Sequence, residues 1–421
     1  MKSTFLLITL AAFAAAQLHA ANSTDIAANA INSLGIDLLK KTGAPGENAL
    51  LSPYSIQLAL AMTYAGAAGK TRDEMAAALH FPKDDAGLNK SFAALQTELT
   101  DIQKSTRQIV ADAKVDGGPK QPFTLSVANR IYGQEGYEFR KPFLALLKEN
   151  YGAPLEEVDF KHAADNVRER INAWVEDQTH KRIENLIPDG GLDASTRMVL
   201  VNAIYFKAAW KDEFENEPTK PAPFHVKGGG AKNVPTMNNE TWYGYARRNG
   251  YTVVCLPYLG SDLQFLVLLP DRADGLAALE TKITPALLAS CATLDTGLVN
   301  LWLPKFKMEP PDMELSGELE ALGMKTAFDI PGGSANFDGI APRTPDEYLY
   351  ISAVFHKTFI SLDEHGTEAA AATAEPMAVG AALNEAPPKI YNVHVDHPFI
   401  FAIQDCKSGA CLFIGRVNDP R

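Results

Sequence analysis

Serine, histidine and asparagine are the residue types of nucleophilic hydrolysis, and Ser52, Ser55, Asn202 and His356 supply them in this chain. No Gly-x-Ser-x-Gly elbow surrounds either serine, so the spacing presents no nucleophile at a strand-to-helix turn. A triad is a matter of geometry rather than sequence position, and the structural reading of these four residues is preferred. Gly69-Lys70-Thr71 has the ending of a phosphate loop, but Tyr64 stands where that motif requires glycine, so nucleotide binding is not expected. No Cys/His cluster has ligand spacing; neither a structural metal nor any cofactor is expected.

The chemistry left is that of being cut. Asp363 to Pro388 contains four alanines in a row, Ala369, Ala370, Ala371 and Ala372, and no aromatic residue. Such a stretch cannot anchor itself in a core, and long irregular segments are usually functional or disordered. Composition alone allows an Ala-rich linker or short surface helix, since alanine is the best helix former. It equally allows a segment with two homes: exposed as bait, or laid down as a strand, because small side chains alternate to both faces.

Those residues must be carried by something large. The chain has 421 residues, 46% of them hydrophobic, with a formal charge of −12. That composition supports a sizeable core and argues against a nucleic-acid surface, which needs a clustered basic face. Residues 1–20 read as a signal peptide: Lys2, an apolar run from Phe5 to Ala16, and a small residue at Ala20. That run is too short to span a bilayer, and no other stretch approaches the length, so no membrane partner is expected. Export, to the periplasm or the extracellular space, would permit oxidation. Cys406 and Cys411 flank Lys407-Ser408-Gly409-Ala410, a turn-like tip where cross-strand cysteines can meet disulfide geometry; a bridge is expected. Cys255 and Cys291 read as core residues. Asn22 and Asn239 head glycosylation sequons.

Helical spacing is expected over residues 25–41, 51–65, 71–79, 88–104, 143–151, 163–179 and 315–322, with Pro53 at a first helical position. Strands are expected over 123–132, 198–207, 252–258, 264–270, 298–308, 348–362, 399–403 and 411–417. No linker divides residues 21–421, so a single α+β domain is expected.

The residues now identify a resemblance. Glu364-His365-Gly366-Thr367-Glu368-Ala369-Ala370-Ala371-Ala372-Thr373 resembles the hinge of a serpin reactive loop, and Val393-His394-Val395-Asp396-His397-Pro398-Phe399 is similar to that family's C-terminal signature. Asn48 to Ile56, Gly66 to Thr71, Ala128 to Tyr132, Leu200 to Lys207 and Leu303 to Phe306 fit as well. The resemblance implies three β-sheets, about nine helices and an exposed loop near residues 364–388. It implies that Ser52, Ser55, Asn202 and His356 form the shutter beneath the central sheet, with Trp210 at the breach where insertion begins. It implies a suicide-substrate inhibitor, not an enzyme, whose partner is a protease held as a covalent acyl complex.

Family spacing from Glu364 puts the reactive bond at Gly380-Ala381, with Met377, Val379, Ala382 and Leu383 as alternatives. No Lys or Arg occurs from Asp363 to Pro388, so an elastase-like or subtilisin-like target is expected rather than a trypsin-like one. Glu375 and Pro376 depart from the pattern, since a buried carboxylate and a missing donor both oppose a central strand. Lys90, Lys104 and Arg107 are mixed with Glu98 and Asp101, so no heparin partner is expected. A monomer is expected. The alternative is a non-inhibitory relative acting as carrier or chaperone, which bulky or charged residues at Thr367 or Ala369 would favour; neither position carries one.

Overall fold

The strand Met198–Ala209 is buried along nearly its whole length, and both of its faces are covered. Val199, Val201 and Ala203 point into a small apolar cluster with Phe160, Val167, Ile171 and Val175, the inner face of the helix Phe160–Gln178. Met198, Leu200, Ile204 and Phe206 point the other way, into the main core. Period-two alternation into two apolar layers makes the strand read as an unbroken hydrophobic run. The computed structural model describes residues 26–43, 46–113, 121–215, 217–226, 229–311, 313–344, 347–368 and 388–421.

Met198–Ala209 is the middle of an 8-stranded sheet. Thr124–Gln134 lies antiparallel on one side, with Asn129 opposite Asn202. Ala353–Thr358 lies parallel on the other, from Ala353 opposite Val199 to Thr358 opposite Ile204. This parallel contact is a seam: its two strands are brought together by distant parts of the chain and no short connection crosses it. Under the sheet runs the helix Pro53–Tyr64, buried at all its residues, Ser55, Gln57 and Thr63 included. Ser52 caps it, accepting from the Ser55 amide, and Pro53 takes the first turn.

The remaining strands form a 9-stranded sheet. Ala231–Arg248 runs through two layers of it. Its first part pairs with Glu217–His225 and Thr296–Pro304; its last residues pair with Tyr251–Pro257. The changeover is at Gly244, which pairs with both Thr296 and Cys255. The strands thus form two sheets among the described residues where three were expected, because Ala231–Arg248 runs continuously through both parts of this one. Nine α-helices are present among the described residues, with a π turn at Leu147–Tyr151 and a 3-10 turn at Thr326–Phe328 besides.

The helix expected to end at Lys104 extends over Asp85–Ala113. The long strand expected from Tyr348 shrinks to Ala353–Thr358 and Ile360–Asp363. The strands Glu217–His225, Ala231–Arg248 and Ile390–His394 escaped the sequence reading, as did the short Ala49–Leu51, Leu155–Val158 and Met313–Glu314. Glu217–His225 contains Pro218, Pro221 and Pro223. Proline is tolerated because the strand is an edge, paired only with Ala231–Arg248.

Candidate functional site

The hinge enters the sheet at its top. Gly366–Thr367 pairs with Ala209 and Ala208 on one side and with Asp363 and Leu362 on the other. Only glycine fits the first position: its φ is +149°, and an added Cβ would lie 2.1 Å from the Ala208 carbonyl oxygen. Thr367 is fully buried, and its hydroxyl meets the Tyr258 hydroxyl at 2.6 Å. The Glu368 amide adds one more bond, to the Ser361 carbonyl at 2.8 Å. There the chain turns, with Glu368 at φ 53°, a left-handed conformation uncommon outside glycine. Arg182 closes on the Glu368 carboxylate at 3.0 Å.

Trp210 sits at the entrance. Its ring stacks on Tyr258 with centroids 4.7 Å apart, and its Nε1 donates to the Asp363 carbonyl at 3.0 Å. Two backbone bonds tie the same stretch to the loop base: Trp210 N to His365 O, and Phe214 N to Glu364 O, each 2.9 Å. Glu364 pairs with Lys305 at 2.6 Å and accepts from Thr219. Burial opposes ionisation of Glu364, but these two partners overcome it and hold its pKa below the ordinary value.

Below the hinge the seam is closed, and a polar cluster straddles it. Asn129, Asn202 and His356 stand in one row across three strands. His356 Nε2 accepts from the Ser52 amide at 3.2 Å, so its Nδ1 carries the proton and donates to Asn202 Oδ1. Ser55 Oγ donates to the same oxygen at 2.8 Å. Asn202 Nδ2 donates to Asn129 Oδ1 at 2.5 Å, and Asn129 Nδ2 to the Ser55 carbonyl at 2.9 Å. Ser52 Oγ donates to the Leu412 carbonyl at 2.7 Å. Ser52, Ser55, Asn202 and His356 are wholly buried. The cluster is thus satisfied, as a buried polar network must be. Neither serine has a base beside it: His356 faces an amide hydrogen and an amide oxygen.

The chain matches the family described as Serpin (serine protease inhibitor) over residues 29–420. The chain belongs to the serpin family. Leukocyte elastase inhibitor of Sus scrofa is 37% identical to it over 385 residues, 89% of this chain and 94% of the relative. An uncharacterised serpin-like protein of Thermococcus kodakarensis is 36% identical over 394 residues, 93% of this chain and 85% of its own. Among solved structures, the thermophilic serpin tengpin in its native state matches with a TM-score of 0.77 at 29% identity, covering 93% of each chain. Uncleaved ovalbumin matches with a TM-score of 0.75 at 30% identity, covering 93% of this chain and 99% of its own.

In this serpin Ser52, Ser55, Asn202 and His356, expected from the resemblance as a shutter, come together in one hydrogen-bonded cluster, and Trp210 lies at the loop base. Asn129, Tyr258 and Arg182 were missed as site residues. Asn129 lies within the stretch Ala128 to Tyr132 that carried part of the resemblance, but among Thr124, Ser126 and Arg130 of the same strand nothing singled it out; Tyr258 and Arg182 gave no signal. Ala369 to Thr373, Glu375, Pro376 and all the reactive-bond candidates (Met377, Val379, Gly380, Ala381, Ala382, Leu383) lie outside the described residues, as does Asn22. One expectation is corrected. Cys406 and Cys411 are free thiols, not a disulfide. Cys411 stands opposite Gln404, and the tip closes by a bond from Asp405 N to Ala410 O, which leaves Cys406 beyond the ladder. Asn239 is buried, its amide donating to the Glu213 carbonyl at 3.1 Å, so its sequon is closed to modification in the folded chain.

Two histidines make stability respond to pH in opposite senses. Burial holds the His356 pKa down to about 3 from 6.5. The unfolded chain takes up that proton below about pH 6.5 and the native chain does not, so the contribution is full above 6.5 and is lost as pH falls towards 3, at about 1.4 kcal/mol per unit. His397 donates from Nδ1 to Asp396 and from Nε2 to the Pro270 carbonyl, both at 2.7 Å. Burial alone would lower its pKa, but these bonds outweigh it and raise the value. Its contribution is full below about pH 6.5 and is lost as pH rises through the raised value. Urea unfolding of His356→Gln should therefore show a shallower loss than wild type between pH 6.5 and 5, by about 2 kcal/mol, whatever its offset at pH 7.5. Parallel curves would mean that His356 is charged in the fold.

Proposed function

We propose that this serpin is a suicide-substrate inhibitor of serine proteases with small-residue or aliphatic specificity. The observation that carries this reading is the placement of Gly366–Thr367 between Ala208–Ala209 and Leu362–Asp363, directly above a seam that a further strand would enter. After Glu368, which Arg182 holds at the point where the chain turns, come Ala369 to Ala372, small enough to follow without carving space. A protease attacks the bait bond at Gly380-Ala381 and is held as its acyl-enzyme. The released segment inserts between Met198–Ala209 and Ala353–Thr358, drawing the tethered protease along the sheet before water can free it. A new strand of about twelve residues gains ladder bonds worth roughly 0.5–1.5 kcal/mol each, on the order of 10 kcal/mol in all. The chain acts once and is consumed, so it is an inhibitor rather than a catalyst.

The relatives named leukocyte elastase inhibitor support an elastase-like target, as does the lack of Lys and Arg from Asp363 to Pro388. The reading of residues 1–20 supports export to the place where such proteases act. Mixing the full chain with pancreatic elastase should give an adduct stable on denaturing gels and a released peptide whose mass places its first residue at Ala381. Cleavage with no adduct would overturn inhibition of this class; a peptide starting elsewhere would move the bait bond.

A further inference from the structure

Sequence spacing offered no metal ligands, yet the fold brings two carboxylates and an imidazole together across about 150 residues of chain. Ligand atoms of Glu213, Glu215 and His365 all lie within 4.8 Å of one another. We infer that these three residues form a binding site for a divalent cation of the zinc class, clasping the root of the reactive loop to the turn after the strand Met198–Ala209.

Several observations support the site. Phe214 is buried against Trp210, and its two neighbours, half-buried Glu213 and exposed Glu215, lie on the irregular stretch that follows the strand Met198–Ala209. The two ligand-bearing segments are fixed to each other by the bonds Trp210 N to His365 O, Phe214 N to Glu364 O and Trp210 Nε1 to Asp363 O. The Asn239 amide holds the Glu213 carbonyl from behind at 3.1 Å. His365 Nδ1 already faces Glu213 Oε2 at 2.5 Å. A tetrahedral zinc with bonds near 2.0–2.1 Å needs ligand atoms about 3.3 Å apart. That contact must open slightly, and the exposed Glu215 side chain must swing in; both are side-chain rotations. The charge is unbalanced: Glu213, Glu215 and Asp363 lie close together, whereas Lys305 is engaged by Glu364. One imidazole and two carboxylates suit zinc and its first-row neighbours better than calcium or magnesium. With three protein ligands and Glu215 at the surface, a fourth position is left for water.

The site holds His365, which lies between Glu364 and the glycine that begins the inserted strand. Occupancy would stiffen the loop root in its present position, and binding does not depend on whether the loop traps a protease. The test is titration of the chelator-stripped full chain with zinc chloride, followed by calorimetry and thermal unfolding. One equivalent should bind, and an excess about a hundredfold above the Kd should raise the unfolding midpoint by about 3 °C. Affinity should fall by about tenfold or more in His365→Ala and in Glu215→Gln, whose exposed position threatens no folding, and should be unchanged in His162→Ala, an exposed histidine beside Asp159 on the helix Phe160–Gln178. No saturable binding would overturn the site and leave an ion pair only. Equal binding by wild type and both site variants would also overturn it, as an adventitious surface ion.

Discussion

Replacing Asn202 with alanine should cost the native chain about 4 kcal/mol of unfolding free energy, the largest single-residue loss expected outside the apolar core. One side chain there serves three others. His356 and Ser55 both donate to its oxygen, and its nitrogen donates to Asn129. All lie where water does not reach, and each buried group left without a partner costs about 1–3 kcal/mol. Three orphans exceed the sum that local relaxation can recover. The second consequence is specific to this position. The bond from His356 to Asn202 crosses the parallel contact between Met198–Ala209 and Ala353–Thr358, the pair that a further strand would enter. Removing it weakens the seam more than it weakens either strand. Asn202→Ala should therefore also show, on warming below its midpoint, uncut chains whose loop has become resistant to proteolysis because it has entered the sheet. Urea unfolding gives the first quantity, and timed digestion with elastase the second. A loss under about 1 kcal/mol would mean that the cluster is solvated, and a loss without loop protection would mean that the seam is held elsewhere.

What could be read in the sequence was whatever the chain states locally. The helix Pro53–Tyr64 announces itself through Ser52-Pro53 and mostly apolar residues, and Met198–Ala209 through its run of Val, Ile and Tyr. The hinge was legible only through its resemblance to a serpin loop, since its composition alone also allowed a linker or a surface helix, and Glu364 to Glu368 are the part of it among the described residues. What escaped depends on partners far along the chain. Nothing in Thr367 says that it will face Tyr258, or in Glu368 that Arg182 will hold it. Glu217–His225 was hidden by its prolines, which only the knowledge that it is an edge excuses. The pairing expected of Cys406 and Cys411 failed for a related reason. Spacing places two residues beside a turn, but the ladder register decides whether they face each other, and here it gives Gln404 to Cys411. Glu213, Glu215 and His365 are the extreme case, since their proximity is entirely a product of the chain crossing at Trp210.

Thr367→Arg should convert the inhibitor into a substrate. Thr367 is the first hinge residue whose side chain is swallowed by the sheet: fully buried, flanked by Ala208 and Leu362, its hydroxyl on Tyr258. The pocket around it is aromatic, with Trp210 stacked on Tyr258 and Phe206 packed edge-on to the same ring. Tyr258 can accept one hydrogen bond from a guanidinium, and the remaining donors would stay unpaired. Burying that charge costs several kcal/mol. In the uncut chain the penalty is largely avoided, because the three inserted residues can withdraw and the seam below is unaffected; the unfolding midpoint should fall only slightly. After cleavage there is no such escape, since every path into the sheet passes this position. A barrier raised by about 3 kcal/mol slows insertion by more than a hundredfold, while deacylation by the protease proceeds at its own rate. The branch then favours release of intact protease and cut loop. Titration of elastase should show far more than one chain consumed per protease inactivated, with cleavage as fast as in wild type, and Thr367→Ser should behave as wild type. An arginine variant that still inhibits one-to-one would show that insertion does not begin between Ala208 and Leu362, and would remove the physical basis of the mechanism rather than a detail of it.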